Sequence, residues 1–180
     1  MSRLRFSIAR EVFEAFPTAY EDIAARPSDQ LPLLFLRALA DGPTPDDAIA
    51  FCAYLLPRRE AVWWASQSVR ALLERPSQTD EIALKAAEDW VYEPEEERRR
   101  EALRIGTTAT NQRAASTWVA LAAAWSGGPM IVTDYGGPLA PPQLTAQAAF
   151  TAIRIALGGK SDRRGHISRS IEQGIRIAES

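Results

Sequence analysis

The chain has one cysteine, Cys52, and one histidine, His166, in 180 residues. A lone cysteine rules out an internal disulfide, which fits a reducing compartment. One Cys and one His cannot assemble a Cys/His zinc site within a single chain. A Ser-His-acid or Cys-His arrangement would have to use His166. That residue lies in the polar link Gly165-His166-Ile167, where nothing orients or shields a base, so it reads as a solvated residue near a helix start. A basic excess is also missing. Lys and Arg total 21 against 23 Asp and Glu, a formal net charge of -2, so bulk attraction to nucleic acid or to an anionic membrane is not expected. Long apolar runs are absent too. The most apolar stretch, Trp118 to Trp125, is far shorter than the ~20 residues a membrane span needs. The segment Met1 to Ser7 shows no signal-peptide pattern, and the expected location is cytoplasmic.

What the chain does have is helical periodicity. Ile8, Val12 and Phe16 share one face of a first helix that stops near Pro17. The run Leu33 to Ala40 is apolar nearly all round, which predicts a helix in the middle of the core. Thr44-Pro45-Asp46-Asp47 reads as a helix start, with cap, first-turn proline and acids in the favoured order. Ile49, Cys52, Ala53 and Leu56 give its buried stripe. Val62, Ala65, Val69, Leu72 and Leu73 line the helix after Pro57, and Ala83, Ala86, Ala87 and Trp90 the helix after Asp80. Pro94 opens another, with Ala102, Ile105 and Ala109 inside. Further helices carry Ala114, Trp118, Leu121, Ala122 and Trp125, then Ala146, Ala149, Phe150, Ile153, Ala156 and Leu157, and finally Ile167, Ile171 and Ile175. The expected fold class is all-α, a compact array of antiparallel helical hairpins with eight or nine helices. Segments 45-74, 79-109 and 112-157 loosely resemble pairs in a helical-repeat array, without a shared signature at fixed period. Residues 1-160 read as the domain, and 161-180 as an amphipathic helix docking on it or on a partner.

One long irregular stretch interrupts the helices, Ser126 to Pro141, with turn signals at Gly127-Gly128-Pro129 and Gly136-Gly137-Pro138. Met130-Ile131-Val132 is a short extended piece inside it. The glycines lack the lysine and the spacing of a phosphate-binding loop, so no cofactor is expected. A loop of this length in a compact domain is often functional, which makes Gly127, Gly128 and Tyr135 candidate interaction residues. A second candidate is Trp63-Trp64, grouped with the preceding Arg58 and Arg59. Neighbouring helical positions point about 100° apart, so one indole is expected inside and the other near the margin, where tryptophan concentrates binding energy. Ile171 and Ile175 on the last helix are the third, for the domain's own body, a partner's groove or a homodimer. The run Glu95-Glu96-Glu97-Arg98-Arg99-Arg100-Glu101 reads as a solvated helix face. Its i,i+3 and i,i+4 pairs are each worth about 0.2–0.5 kcal/mol. The acid pairs Glu21-Asp22, Asp46-Asp47 and Asp80-Glu81 read as caps.

Two stretches carry a resemblance: Leu56-Pro57-Arg58-Arg59-Glu60-Ala61-Val62-Trp63-Trp64-Ala65, and Trp125-Ser126-Gly127-Gly128-Pro129 followed by Pro138-Leu139-Ala140-Pro141-Pro142. With Trp90, Pro94, Glu96, Arg99 and Ala102 between them, the chain resembles an uncharacterised bacterial family of all-helical domains over roughly 30-160. The family has no established activity. Some members are encoded near type VI secretion genes, which implies an accessory role in effector loading or assembly. The expectation from residues and resemblance together is a non-catalytic interaction module with a protein partner: an adaptor, chaperone or accessory factor. Two alternatives stay open: a small-molecule or peptide sensor with 126-141 as a lid, and an enzyme with a carboxylate/arginine site between helices.

Overall fold

A computed structural model describes residues 4–131 and 133–180. Residues 1–3 of the N-terminal segment, and Val132 of the expected extended piece, lie outside the described residues. Ten helices follow in order among them: α1 (Ala9–Ala15), α2 (Ala19–Asp22), α3 (Pro32–Asp41), α4 (Asp46–Leu55), α5 (Arg58–Leu73), α6 (Gln78–Tyr92), α7 (Glu96–Thr108), α8 (Ala115–Ala124), α9 (Leu144–Ala156) and α10 (Arg163–Glu179). The fold is all-helical. The only β pairing among the described residues is an isolated antiparallel bridge between Pro129 and Leu139.

Two helices occupy the centre. Every residue of α4 except Asp46, and every residue of α8 except Trp118, is buried. Their sequences explain this. Both are rich in alanine, and a small side chain lets neighbours close in from all sides while keeping the best helix propensity. α8 packs on α9, α6, α7 and α5; α4 packs on α9, α3, α10 and α2. α5 and α9 lie against each other and touch both groups, so one core runs through the molecule.

The helix expected in the middle, Leu33 to Ala40, sits instead at the edge. α3 buries Pro32, Phe35, Leu36 and Leu39 but leaves Leu34 57% exposed. It packs mainly on α4 and α10, with Phe35 also edge-on to Phe13 of α1, and its outer side has no neighbour to meet.

In a repeat array each unit touches only its neighbours. Here α10 returns to pack on α3, α4 and α5, which makes the arrangement a globular bundle. Ile167, Ile171, Ile175 and Ala178 are buried by this docking, so 161–180 shares the core of the rest. The approach is close. A Cβ on Gly174 would stand 2.5 Å from Cys52 Sγ and 3.0 Å from Trp64 Nε1. The Trp64 indole N–H donates to the carbonyl of Ser170 at 2.7 Å, a bond buried between α5 and α10.

Long-range arginines close several helix ends. The last carbonyls of a helix have no intrahelical donor, and cationic side chains there also suit the dipole. Arg164 donates to the carbonyls of Ala40 and Gly42 at the end of α3. Arg59 donates to Val91 O at the end of α6 (2.5 Å), and Arg163 to Leu157 O after α9. At the start of α4 the acids lie in the first turn as the sequence predicts, but no side chain caps a helix amide there, because both carboxylates are taken by other partners. Asp47 accepts from Thr44 Oγ1 and the Ala25 amide, while Asp46 pairs with Arg163.

Candidate functional site

The segment after α8 folds back on itself. Met130 N donates to Pro138 O and Ala140 N to Gly128 O, both at 2.9 Å, flanking the Pro129–Leu139 bridge. Thr133 Oγ1 donates to Gly136 O at 2.6 Å and closes the tip. The indole N–H of Trp125 reaches Met130 O at 3.4 Å.

The root of this loop is held by an arginine from the charged run expected on a solvated face. Arg99 is buried, its side chain only 5% exposed. Nη1 donates to Ala124 O (2.8 Å), the last carbonyl of α8, and to Pro129 O (3.2 Å) in the loop. Nε and Nη2 form a two-point bond with Glu96 at 2.7 Å each. The signal was present in the periodicity. The buried positions of α7 are Arg99, Ala102, Leu103 and Gly106, so stepping back three residues from Ala102 leads to Arg99. The dense charge around it hid that step.

Gly128 completes the root. Its φ is +67, a conformation glycine adopts without steric cost. A Cβ there would also lie 2.9 Å from the Arg99 guanidinium carbon. The turn therefore lies directly over the buried cation. Arg58 adds a second tie from α5, donating to Ser126 O at 2.7 Å. Hydrogen bonds from Arg99 and Arg100 outweigh partial desolvation and hold the Glu96 carboxyl down at about 2.

The tip differs from the root. Tyr135 is fully exposed, Leu139 is 71% exposed and Ile131 49%. Between the tip and α7 lies a cleft of about 910 Å³, with Arg98, Arg100, Glu97 and Glu101 on the helix side and Pro129, Ile131 and Asp134 on the loop side. The helix-side charges are largely paired: Arg98 with Glu93, Arg100 with Glu96 and Arg104 with Glu101.

The residues singled out from the sequence fall into three places. Arg58, Gly127, Gly128 and Tyr135 belong to the loop or its root. Arg59 and Trp63 lie on a separate face, where Trp63 is half-buried with its ring edge-on to Tyr92 at 5.9 Å. Trp64, Ile171 and Ile175 are all buried in the chain's own body, Trp64 at the seam of α5 and α10, so the partner reading of these three gives way to the core reading. The divergence of adjacent helical positions separates the two indoles as expected.

Among the described residues no group of three or more His, Cys, Asp or Glu is placed to hold a metal. Complete burial pushes the Cys52 thiol well above its ordinary range. His166 is half-buried, and its Nδ1 accepts from Arg169 at 3.0 Å. Among the described residues no helix is long and apolar enough to cross a membrane.

No curated protein and no solved structure matches the chain. A family of unknown function, DUF6931, matches residues 35–178, from within α3 almost to the end of α10. The match therefore extends through residues 161–178, beyond the 30–160 span of the resemblance. With well over half of its length inside that match, the chain belongs to the DUF6931 family.

Proposed function

We propose that this protein is a non-catalytic interaction module that presents the 126–141 loop to a protein partner. The observation that carries the reading is the contrast within that loop: an exposed apolar surface of Ile131, Tyr135 and Leu139 on a root fixed by Arg99 and Arg58. Exposed apolar groups on a preorganised element lose little conformational entropy on binding. Tyrosine is also enriched where binding energy concentrates. The fitting partner surface is an apolar pocket that takes the Tyr135 ring, with polar groups at its rim to meet the α7 charges. The resemblance noted from the sequence favours an accessory role in type VI effector loading or assembly, in the bacterial cytoplasm.

The test is a photo-crosslinking amino acid at position 135, activated in the native host. One discrete adduct with a protein partner is expected, and its yield should collapse in an Ile131→Ser/Leu139→Ser background. Adducts that are diffuse, or that persist unchanged in that background, would overturn the proposal. An adduct at twice the chain mass would identify a second copy as the occupant, and light scattering would check it.

A further inference from the structure

A different part of the molecule forms a cup where three helices meet. Its walls are the start of α6, the end of α7 and the start of α8, and it encloses about 400 Å³. That volume lies within the ~300–1,000 Å³ of small-molecule sites. One side is aliphatic, built from Ile82, Ala83, Ile105 and Ala109. Ile82 is 49% exposed there and Ile105 half-buried, so this wall faces the opening. The rest of the lining carries hydroxyls and one carboxylate.

The charges in the cup are already satisfied. Asp80 Oδ1 accepts from Ser116 Oγ (2.5 Å), and Oδ2 from the amide and hydroxyl of Ser77 (2.9 and 2.6 Å). Those bonds outweigh desolvation, the largest opposing effect, and keep the Asp80 carboxyl below its ordinary value. Arg104 uses Nε and Nη2 on Glu101. A charged ligand would find no unpaired counter-ion among these groups. Apart from Arg104 Nη1, which these bonds leave unused, the capacity that remains is uncharged. The Thr108 and Thr117 hydroxyls donate to backbone carbonyls and keep lone pairs free. The Thr110 hydroxyl and the Asn111 side-chain N–H groups have no partner among the described residues.

We infer that this cup binds a small neutral cyclic polyol, a monosaccharide or cyclitol. Such a molecule presents hydroxyls on its edges and C–H groups on a face, and the cup combines hydroxyl and amide partners with aliphatic side chains. The inference is independent of the loop, because the cup shares no residue with 126–141 and a failure of either leaves the other standing.

The test is an NMR titration of the ¹⁵N-labelled full chain with D-glucose, D-galactose, N-acetyl-D-glucosamine and myo-inositol. Binding with Kd of ~1 mM or tighter should shift amides of 77–83 and 105–117 for at least one of the four, with little change elsewhere. Ala109→Phe fills the cup and should weaken that affinity at least about tenfold, the loss of one good set of contacts. Thr110→Val, at an exposed position that leaves the fold alone, should weaken it about threefold or more by removing one hydrogen bond. Silence from all four polyols would overturn the inference. So would affinity unchanged in both variants, or the same shifts produced by inorganic phosphate or L-leucine in their place.

Discussion

Replacing Arg99 by methionine keeps an unbranched apolar stem and deletes the charge and donors. The consequence follows from what the guanidinium holds. Ala124 O, a buried carbonyl, loses its long-range donor, and Pro129 O loses its tie to α7. A buried acceptor left without a partner costs about 1–3 kcal/mol. Glu96 contributes less, since it is half exposed and retains Arg100. Removing one member of a fully buried ion pair costs about 3–5 kcal/mol, and this pair is only buried on one side. The expected loss is therefore about 2–4 kcal/mol, or roughly 5–12 °C in Tm for a chain of this size. Urea unfolding followed by circular dichroism measures the first quantity. Hydrogen exchange measures the second effect, a selective loss of protection at Met130 and Ala140, whose amides close the loop. Arg99→Lys should recover less than half of the loss, because an ammonium cannot present a planar fork to Glu96 and two carbonyls at once. A loss below about 1 kcal/mol, with loop protection unchanged, would refute the claim that Arg99 fixes the loop.

Three further outcomes follow from other contacts. Gly174→Ala places a methyl against Cys52 and Trp64 and should destabilise by about 1–3 kcal/mol, with red-shifted tryptophan fluorescence as α10 lifts. Native Cys52 should resist thiol reagents because it is buried and its thiolate is disfavoured, whereas deletion of 161–180 should make it react within the mixing time of the assay. Glu96 titrates at about 2 in the folded chain against an ordinary 4.5, so its contribution is complete above pH 4.5 and disappears as the pH falls from 4.5 towards 2. Stability measured across that window should decline less steeply in Glu96→Gln.

The helices themselves were legible because their apolar spacing and proline starts are local signals. α1 and α3 to α10 all lie where the periodicity put them; the short α2 left no pattern to read. What could not be read was which helix is central. Leu33 to Ala40 is the run richer in leucine, yet α4 and α8, with their smaller side chains, hold the middle. Centrality depends on how closely neighbours approach, and small side chains permit that better than leucine. The buried role of Arg99 was hidden for a related reason. Six charged residues around it on α7 face water, and pairing rules along one helix say nothing of carbonyls arriving from α8 and the loop. The Trp63/Trp64 divergence came directly from helix geometry, but which indole goes inward depends on α10, more than a hundred residues away.

The seam between α5 and α10 also bears on how the chain is made. Trp64 finds its acceptor at Ser170, and Cys52 its cover at Gly174, so the core stays open along one side until the final helix has been synthesised. A nascent chain halted at residue 160 would carry α3, α4 and α5 with their inner face wet and a tryptophan uncovered. Such a chain exposes apolar surface that invites aggregation and chaperone binding, and both should subside once α10 is free to dock.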